Sequence, residues 1–306
     1  MLRVLLLPDV RFSFMTHHGF NKRLSSEKFV KRDYRNRMGK PLNLETPETY
    51  TEKLQWLKVY DHRPEYTVMV DKHLVKEYVA QRIGSQYVIP ELGVWDSVEE
   101  IDFDGLPERF VLKTTHDSGG IVICRDKQTF DLDGAKRHLN HFLHRSYYEL
   151  TREWPYKNVK PRIIAEAYME DSRQGELRDY KFFTFGGKPK VLYIAQGRGK
   201  GDPTVADFFD MEFNHLDFTI DHDMAPTPPD KPKNFELMKE FAAKLSEGTP
   251  QLRVDFYEVD GNVYFGEMTF FHCGGLEAFH PEKWDRIFGD WITLPPKRAE
   301  GSETSL

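Results

Sequence analysis

The chain has 306 residues, with 43 Lys plus Arg against 49 Asp plus Glu, a formal charge of −6. That length supports two or three packed subdomains, and that charge argues against a nucleic-acid partner while leaving room for a local cationic pocket that takes phosphates. Two cysteines, Cys124 and Cys273, stand far apart in no metal-ligand spacing, which argues against a disulfide scaffold or a structural zinc and fits a reducing, cytoplasmic compartment.

The opening "MLRVLLLPDVRFSFM" carries only a four-residue apolar run, Val4 to Leu7, short of the roughly 7–15 of a secretory segment or the roughly 20 of a membrane span. At most a peripheral membrane contact is expected. Residues 20–84 read as mainly helical. "TPETYTEKLQWLKVYD" has a helix-start pattern and sets Leu54, Leu57 and Tyr60 at helical spacing. "VDKHLVKEYVAQRIG" repeats the style, with Leu74, Tyr78 and Val79 expected inward and Gly84 as the stop. Short strands follow in "QYVIPEL" and "RFVLKTT", then one helix over about 133–151.

After "WPYKNVKP" the texture turns to strands: "RIIAEAYME", "LRDYKFFTFGGKPKVLYIAQG" and "RVDFYEVDGNVYFGEMTF". A Pro-rich linker, 223–232, leads into a helix whose stripe is Phe235, Met238, Phe241, Ala242 and Leu245. The expected architecture is α+β. A mainly helical region occupies 1–90, a central lobe 91–160 and a C-terminal lobe 161–295, with a polar tail over 296–306.

The last strand pair carries the densest chemistry. Alternation puts Arg253, Asp255, Tyr257 and Val259 on one face, and Leu252, Val254 and Phe256 on the core face. Val263, Phe265, Glu267 and Thr269 form one set on the return strand. A two-residue Asp260-Gly261 turn would set Asp255 opposite Gly266, whereas a three-residue turn including Asn262 would set it opposite Glu267. Facing carboxylates destabilise a sheet unless a cation neutralises them. The pair therefore reads either as a divalent-metal site, with Arg253 as a phosphate partner, or as ordinary edge charges.

Upstream, "ERFVLKTTHDSGG" is a strand with Lys113 inside an apolar run, ending in a Gly-rich loop. The lysine head needs an anion or water. The loop offers hydroxyls and backbone N–H groups without the Walker spacing. Asp179 and Lys181 alternate onto one face of "DYKFF".

Taken in order, Lys72 in "VDKHLVKEYV", Lys113 in "FVLKTTHDSGG", the hinge "AEAYME", "DYKFF", Arg253-x-Asp255 and Glu267-x-Thr269 resemble ATP-grasp proteins. More narrowly, "NRMGKPLNLETPETYTEKLQWLKVYDHRPEYT", "YVIPELGVWDSVEEIDFDGLPERFVLKTTHDSGG" and "YKNVKPRIIAEAYME" resemble the TupA-like ATP-grasp family, named for teichuronopeptide synthesis, over roughly residues 28–290. The resemblance implies an ATP-grasp fold with the nucleotide between the central and C-terminal lobes. It implies that Lys72 and Lys113 contact ATP phosphates while Ser118, Gly119 and Gly120 help cover them. Glu166, Ala167, Tyr168 and Met169 would present backbone groups to adenine, and Lys181 and Arg253 would face phosphate or acyl substrate. Asp255 and Glu267 would bind magnesium, with Thr269 standing where the broader superfamily has Asn. The resemblance also favours the odd-length turn.

The activity so implied is ATP-dependent joining of a carboxylate to an amine through an acyl phosphate. The partners are an amine or amino acid and a uronic-acid-containing sugar or polysaccharide. Removing either Asp255 or Glu267 is expected to abolish that activity and leave the fold intact. A metal-dependent glycosyltransferase is the alternative, with Asp221 and Asp223 of "DHD" as its Asp-x-Asp pair, although the tripeptide also occurs at 102–104 and 131–133. "GRGKG", with Arg198 and Lys200, is a candidate anion loop. His138, His141 and His144 read as a surface set, and Cys273 as a buried thiol whose neighbour His272 points away if the chain is extended.

Overall fold

The computed structural model describes residues 7–171, 177–197 and 204–297. The first helices are α1 (Pro8–His17), α2 (Ser26–Met38), α3 (Tyr50–Tyr60), α4 (Pro64–Val70) and α5 (Leu74–Ile83). Ser25 caps α2 by accepting from the Lys28 N–H, and Gly39 closes it at φ 70°. Thr49 and Glu52 form a reciprocal capping box on α3, which satisfies two otherwise orphaned donors. Leu54 and Leu57 are buried. On α5 the inward stripe is Val75 and Val79, with Tyr78 half-buried, while Leu74 is 39% exposed. The expectation for Leu74 is corrected by geometry, because Val75 and Val79 define an i, i+4 row that Leu74 misses by about 100°.

The expected helix over 133–151 is two: α6 (Leu132–Leu143) and α7 (Tyr147–Thr151). His144 ends the first, and Ser146 caps the second by accepting from the Glu149 N–H.

Two antiparallel sheets make up the rest. The smaller contains β1 (Glu91–Trp95), β2 (Phe110–Thr114), β3 (Ile121–Cys124) and β4 (Ile163–Ala167) in the order β1-β4-β2-β3. The larger contains β5 (Asp179–Phe185), β6 (Lys188–Gln196), β7 (Val205–Phe209), β8 (His215–Leu216), β9 (Gln251–Val259) and β10 (Asn262–Thr269) in the order β10-β9-β5-β6-β7-β8. A boundary at residue 160 puts "RIIAEAYME" in the C-terminal lobe, but β4 pairs with both β1 and β2 in the smaller sheet. Helix α8 (Phe235–Leu245) covers β5, β6 and β9, with Phe235, Met238, Phe241, Ala242 and Leu245 all buried. The last helix, α9 (Lys283–Trp291), packs on α3.

The cores divide differently from the chain order. The smaller sheet has its own apolar cluster, built on Phe110, Leu112, Leu139, Leu143, Ile163 and Ala165. The N-terminal helices share one continuous core with the larger sheet, in which Tyr34, Leu54 and Val79 join Phe182, Phe256 and Phe288. The helical region is thus the partner of the C-terminal lobe. No helix among the described residues is long and apolar enough to cross a membrane.

Candidate functional site

A cleft of about 710 Å³ opens between the smaller sheet, the larger sheet and the N-terminal helices. The β9–β10 hairpin forms one wall, and its register explains which side chains reach it. Val259 faces Asn262, so the turn is the two-residue Asp260-Gly261, with both residues at positive φ (51° and 85°), the type I′ requirement. The three-residue turn is therefore corrected. Asp255 nevertheless faces Glu267, because a bulge at Gly266 shifts the pairing between Phe265 and Glu267. The bulge splits the expected return-strand set. Val263, Phe265 and Met268 are buried in the core, with Phe265 and Met268 also bordering the cleft, while Glu267 and Thr269 lie partly exposed along it. An added residue reverses side-chain alternation past it.

The facing carboxylates are neutralised from within. Arg253 donates Nε to Asp255 Oδ1 (2.8 Å) and Nη2 to Asp255 Oδ2 (2.7 Å), to Glu267 Oε1 (2.7 Å) and to Thr269 Oγ1 (3.0 Å). Lys181 Nζ, almost fully buried, reaches Asp255 Oδ2 at 2.7 Å and Asp179 Oδ1 at 3.6 Å. Asp255 is only 1% exposed and sits beneath the cleft, whereas the Glu267 side chain is half open. Glu267 Oε2 accepts no hydrogen bond among the described residues.

Arg253 also sets the state of His272. Its Nη1 lies 2.8 Å from His272 Nδ1; a guanidinium only donates, so Nδ1 accepts and Nε2 carries the hydrogen. Burial and the Arg253 charge push the His272 pKa down to about 3. Asp221, His272 and Cys273 bring ligand atoms within 4.8 Å of one another, but the protonated Nε2 leaves the imidazole with no lone pair for a metal. His272 does not point away from Cys273: residues 272–275 form a tight turn with Cys273 at φ 49°, and the Cys273 Sγ lies 3.6 Å from His272 Nε2. Burial, reinforced by Asp221, pushes the thiol up to about 12, so it is not an activated nucleophile.

The opposite wall is built from α5, β2 and the loop after β2. Lys113 pairs with Glu166 at 2.6 Å, and Lys76 pairs with the same carboxylate. Burial alone would raise the Glu166 pKa, but Lys113 and Lys76 hold it below the ordinary carboxylate range. Lys72 donates to the Asp117 carbonyl, and burial lowers its pKa. The loop is closed by Thr114 Oγ1 donating to Asp117 Oδ1 (2.6 Å) and by the Thr114 N–H donating to the Gly120 carbonyl (2.8 Å). Gly120 is packed so closely that a Cβ would overlap the Thr114 hydroxyl, and Gly119 stands at φ 111°. His138 is not merely a surface residue, since its Nε2 lies 3.2 Å from the Gly119 carbonyl and tethers the loop to α6.

Of the expected site residues, Lys72, Lys113, Ser118, Gly119, Gly120, Glu166, Lys181, Arg253, Glu267 and Thr269 line this one cleft. Asp255 lies just below it. Ala167, Tyr168 and Met169 do not line it: the Ala167 N–H donates to the Pro90 carbonyl (3.0 Å), and Tyr168 carries the Arg109 guanidinium over its ring at 4.9 Å. The cleft's apolar lining includes Val75, Ile89, Phe265 and Met268 instead. Asp221 lines the cleft but Asp223 is exposed outside it, so "DHD" forms no two-carboxylate clamp here. Arg198 and Lys200 lie outside the described residues.

Lys58, Lys76 and Glu153 are among the lining residues that escaped the sequence reading. Lys76 offered one clue, a cation in the first turn of a helix, where the dipole disfavours it without an acidic partner.

Two antiparallel sheets of unequal size closing on one cleft lined by both lysine or arginine cations and carboxylates are the layout of the ATP-grasp class. The chain matches the model for TupA-like ATPgrasp over residues 52–293, and it belongs to that family. No curated protein matches it. Among solved structures it is similar to a D-alanine–D-alanine ligase from Bacillus anthracis complexed with ATP, at 18% identity over 66% of this chain and 55% of that one, TM-score 0.39. The corresponding ligase from Helicobacter pylori matches at 15% identity over 79% and 69%, TM-score 0.41. The N5-carboxyaminoimidazole ribonucleotide synthetase from Thermus thermophilus matches at 14% over 66% and 45%, TM-score 0.39. The chain thus spans about half the length of the first of these ligases.

Proposed function

We propose that the protein is an ATP-dependent carboxylate–amine ligase that joins an amino acid or another amine to a uronic-acid carboxyl of a cell-surface polysaccharide or its precursor. One observation carries the reading: Lys72, Lys113 and the loop residues 117–120 line the same cleft as Arg253, Glu267, Thr269 and Lys181. In this reading the substrate carboxylate attacks the γ-phosphorus, and ADP leaves. The amine then attacks the acyl carbon, and phosphate leaves with the C–O electron pair. Such chemistry asks for positioning and charge neutralisation rather than a side-chain nucleophile.

Lys113 is held ready by Glu166 and can turn to a phosphate because Lys76 remains to balance that carboxylate. Arg253 is rigidly held and presents its charge at the cleft. The donor set of Asp255, Glu267 and Thr269 is all hard oxygen, which fits magnesium, and these are the residues that would hold it. Held there, magnesium would supply neutralisation of phosphate charge. Loop 114–120 excludes water, which matters because an acyl phosphate hydrolyses. The need for ATP fits the cytoplasm. The substrate class comes from the family's association with surface polysaccharides.

Thermal denaturation with magnesium and ATP, set beside magnesium and a UDP-sugar, tests the reading. A ligand at about 100 times its Kd adds roughly 2.7 kcal/mol. Stabilisation by ATP, followed by ADP release with glucuronate or galacturonate plus glycine, is expected. Stabilisation by the UDP-sugar alone would overturn the proposal.

A further inference from the structure

Glu153 lines the cleft, is only 3% exposed as a residue, and its carboxylate makes no hydrogen bond or ion pair among the described residues. A buried carboxylate without a partner is costly. Lys58 does not answer it: its Nζ donates to the Gly274 carbonyl at 2.7 Å. The backbone, by contrast, is held firmly. Arg152 adopts φ 57°, an uncommon conformation for a side-chain-bearing residue. Its Nη2 donates to the carbonyls of Asn21 (3.1 Å) and Lys22 (3.1 Å). The Glu153 N–H donates to Thr151 Oγ1 (3.2 Å), and its carbonyl accepts from the Tyr156 N–H (3.2 Å). The rings of Tyr147 and Tyr156 meet edge to face at 4.8 Å and line the same part of the cleft. Aromatic rings beside a buried carboxylate suit a cation.

We propose that the Glu153 carboxylate binds the ammonium group of the incoming amine and takes its proton. The inference rests on the ligase reading for its chemistry. An alkylamine at neutral pH is an ammonium ion with no lone pair. Transfer of one proton to Glu153 gives the neutral amine and a carboxylic acid. The nitrogen lone pair forms the C–N bond, the C–O bond to phosphate breaks with its electrons on phosphate, and the second nitrogen proton leaves with the phosphate. The charged and titratable groups that face Glu153 are Lys58 from α3, Arg253 from β9, Tyr147 from α7 and Tyr156 from the following turn. Burial pushes the Glu153 pKa up to about 7, against Lys58 and Arg253, which suits a proton acceptor near neutral pH.

The test uses the full chain labelled with ¹³C at glutamate carboxyls, the Glu153 resonance being identified by its loss in Glu153→Gln. Titration near pH 7, with a midpoint that falls on adding ethylammonium chloride, is expected. An ordinary carboxylate midpoint, or indifference to ethylammonium, overturns the assignment. In turnover with magnesium, ATP and glucuronate, Glu153→Gln should lower glycine-dependent ADP release about a hundredfold. With hydroxylamine, which is uncharged at neutral pH, the variant should keep its rate within a factor of about three. Equal losses with both amines would make Glu153 a structural residue and overturn the proposal. An ethylammonium response without any ADP release in the wild type would defeat the ligase reading and leave the ammonium site standing.

Discussion

Lys181 Nζ and Asp255 Oδ2 lie 2.7 Å apart, both nearly inaccessible to solvent, and the same carboxylate is gripped twice by Arg253. Asp255 is therefore the counter-ion for two buried cations as well as a candidate metal ligand. Removing one member of such a cluster leaves charge uncompensated, at about 3–5 kcal/mol. Asp255→Asn should lower stability by about that much in urea denaturation. Glu267→Gln, at a half-open side chain, should cost less than about 1 kcal/mol while still abolishing ADP release. For Asp255 this prediction departs from the expectation that both variants keep the fold intact, because of the ion pairs it makes. Equal stability of the two variants would sink the counter-ion role.

Lys113 and Lys76 share Glu166, so the two lysines separate by function rather than by stability. Lys113→Ala should weaken ATP binding at least tenfold by calorimetry, a loss of about 1.4 kcal/mol, and leave Glu166 compensated by Lys76. Unchanged ATP affinity would remove Lys113 from the phosphate site.

The two loop glycines should respond unequally. Gly120→Ala drives a Cβ into the Thr114 hydroxyl and against Phe142, so the Thr114–Asp117 closure cannot persist. A loss of about 1–3 kcal/mol together with faster proteolysis at 114–120 is expected. Gly119→Ala meets only the edge of the Phe142 ring but must hold φ 111°, a strain of about 1–2 kcal/mol, and should leave the closure intact. Identical proteolysis of the two variants would contradict this packing.

Stability should carry a signature of Glu153. Its folded pKa is raised from 4.5 to about 7, so between those values the folded chain holds a proton that the unfolded chain has released. Folding stability then falls as pH rises through that window, and it levels off above it. Glu153→Gln removes this slope. The variant should gain on the wild type by up to ~1.4 kcal/mol per pH unit between about pH 5 and 7. A flat difference in urea denaturation across that range would count against the raised pKa.

Glu166 works in the opposite sense. Its folded pKa is depressed by Lys113 and Lys76 despite its burial, so its contribution is present above the ordinary glutamate pKa and is lost as pH falls below it. Glu166→Gln should therefore weaken the protein at neutral pH and narrow its difference from the wild type toward pH 3, as read by urea denaturation.

Residue type and periodicity were enough to determine the α+β class, the α8 stripe and the capped start of α3, because these depend on neighbours within a few positions; the family came from the resemblance of motifs taken in order along the chain. Alternation also put Arg253 and Asp255 on one face of β9. Three-dimensional packing decided the rest. Whether Asp255 meets Glu267 depended on the bulge at Gly266, since a turn and a bulge each shift register by one residue and look alike in a linear pattern. Lys76 and Glu166 are 90 residues apart in the chain, so their pairing had no local trace. Glu153, on a short turn between helical pieces, has no periodic or motif signal in the sequence. Only the closing of the N-terminal helices onto the larger sheet buries it, without a partner, at the wall of the cleft.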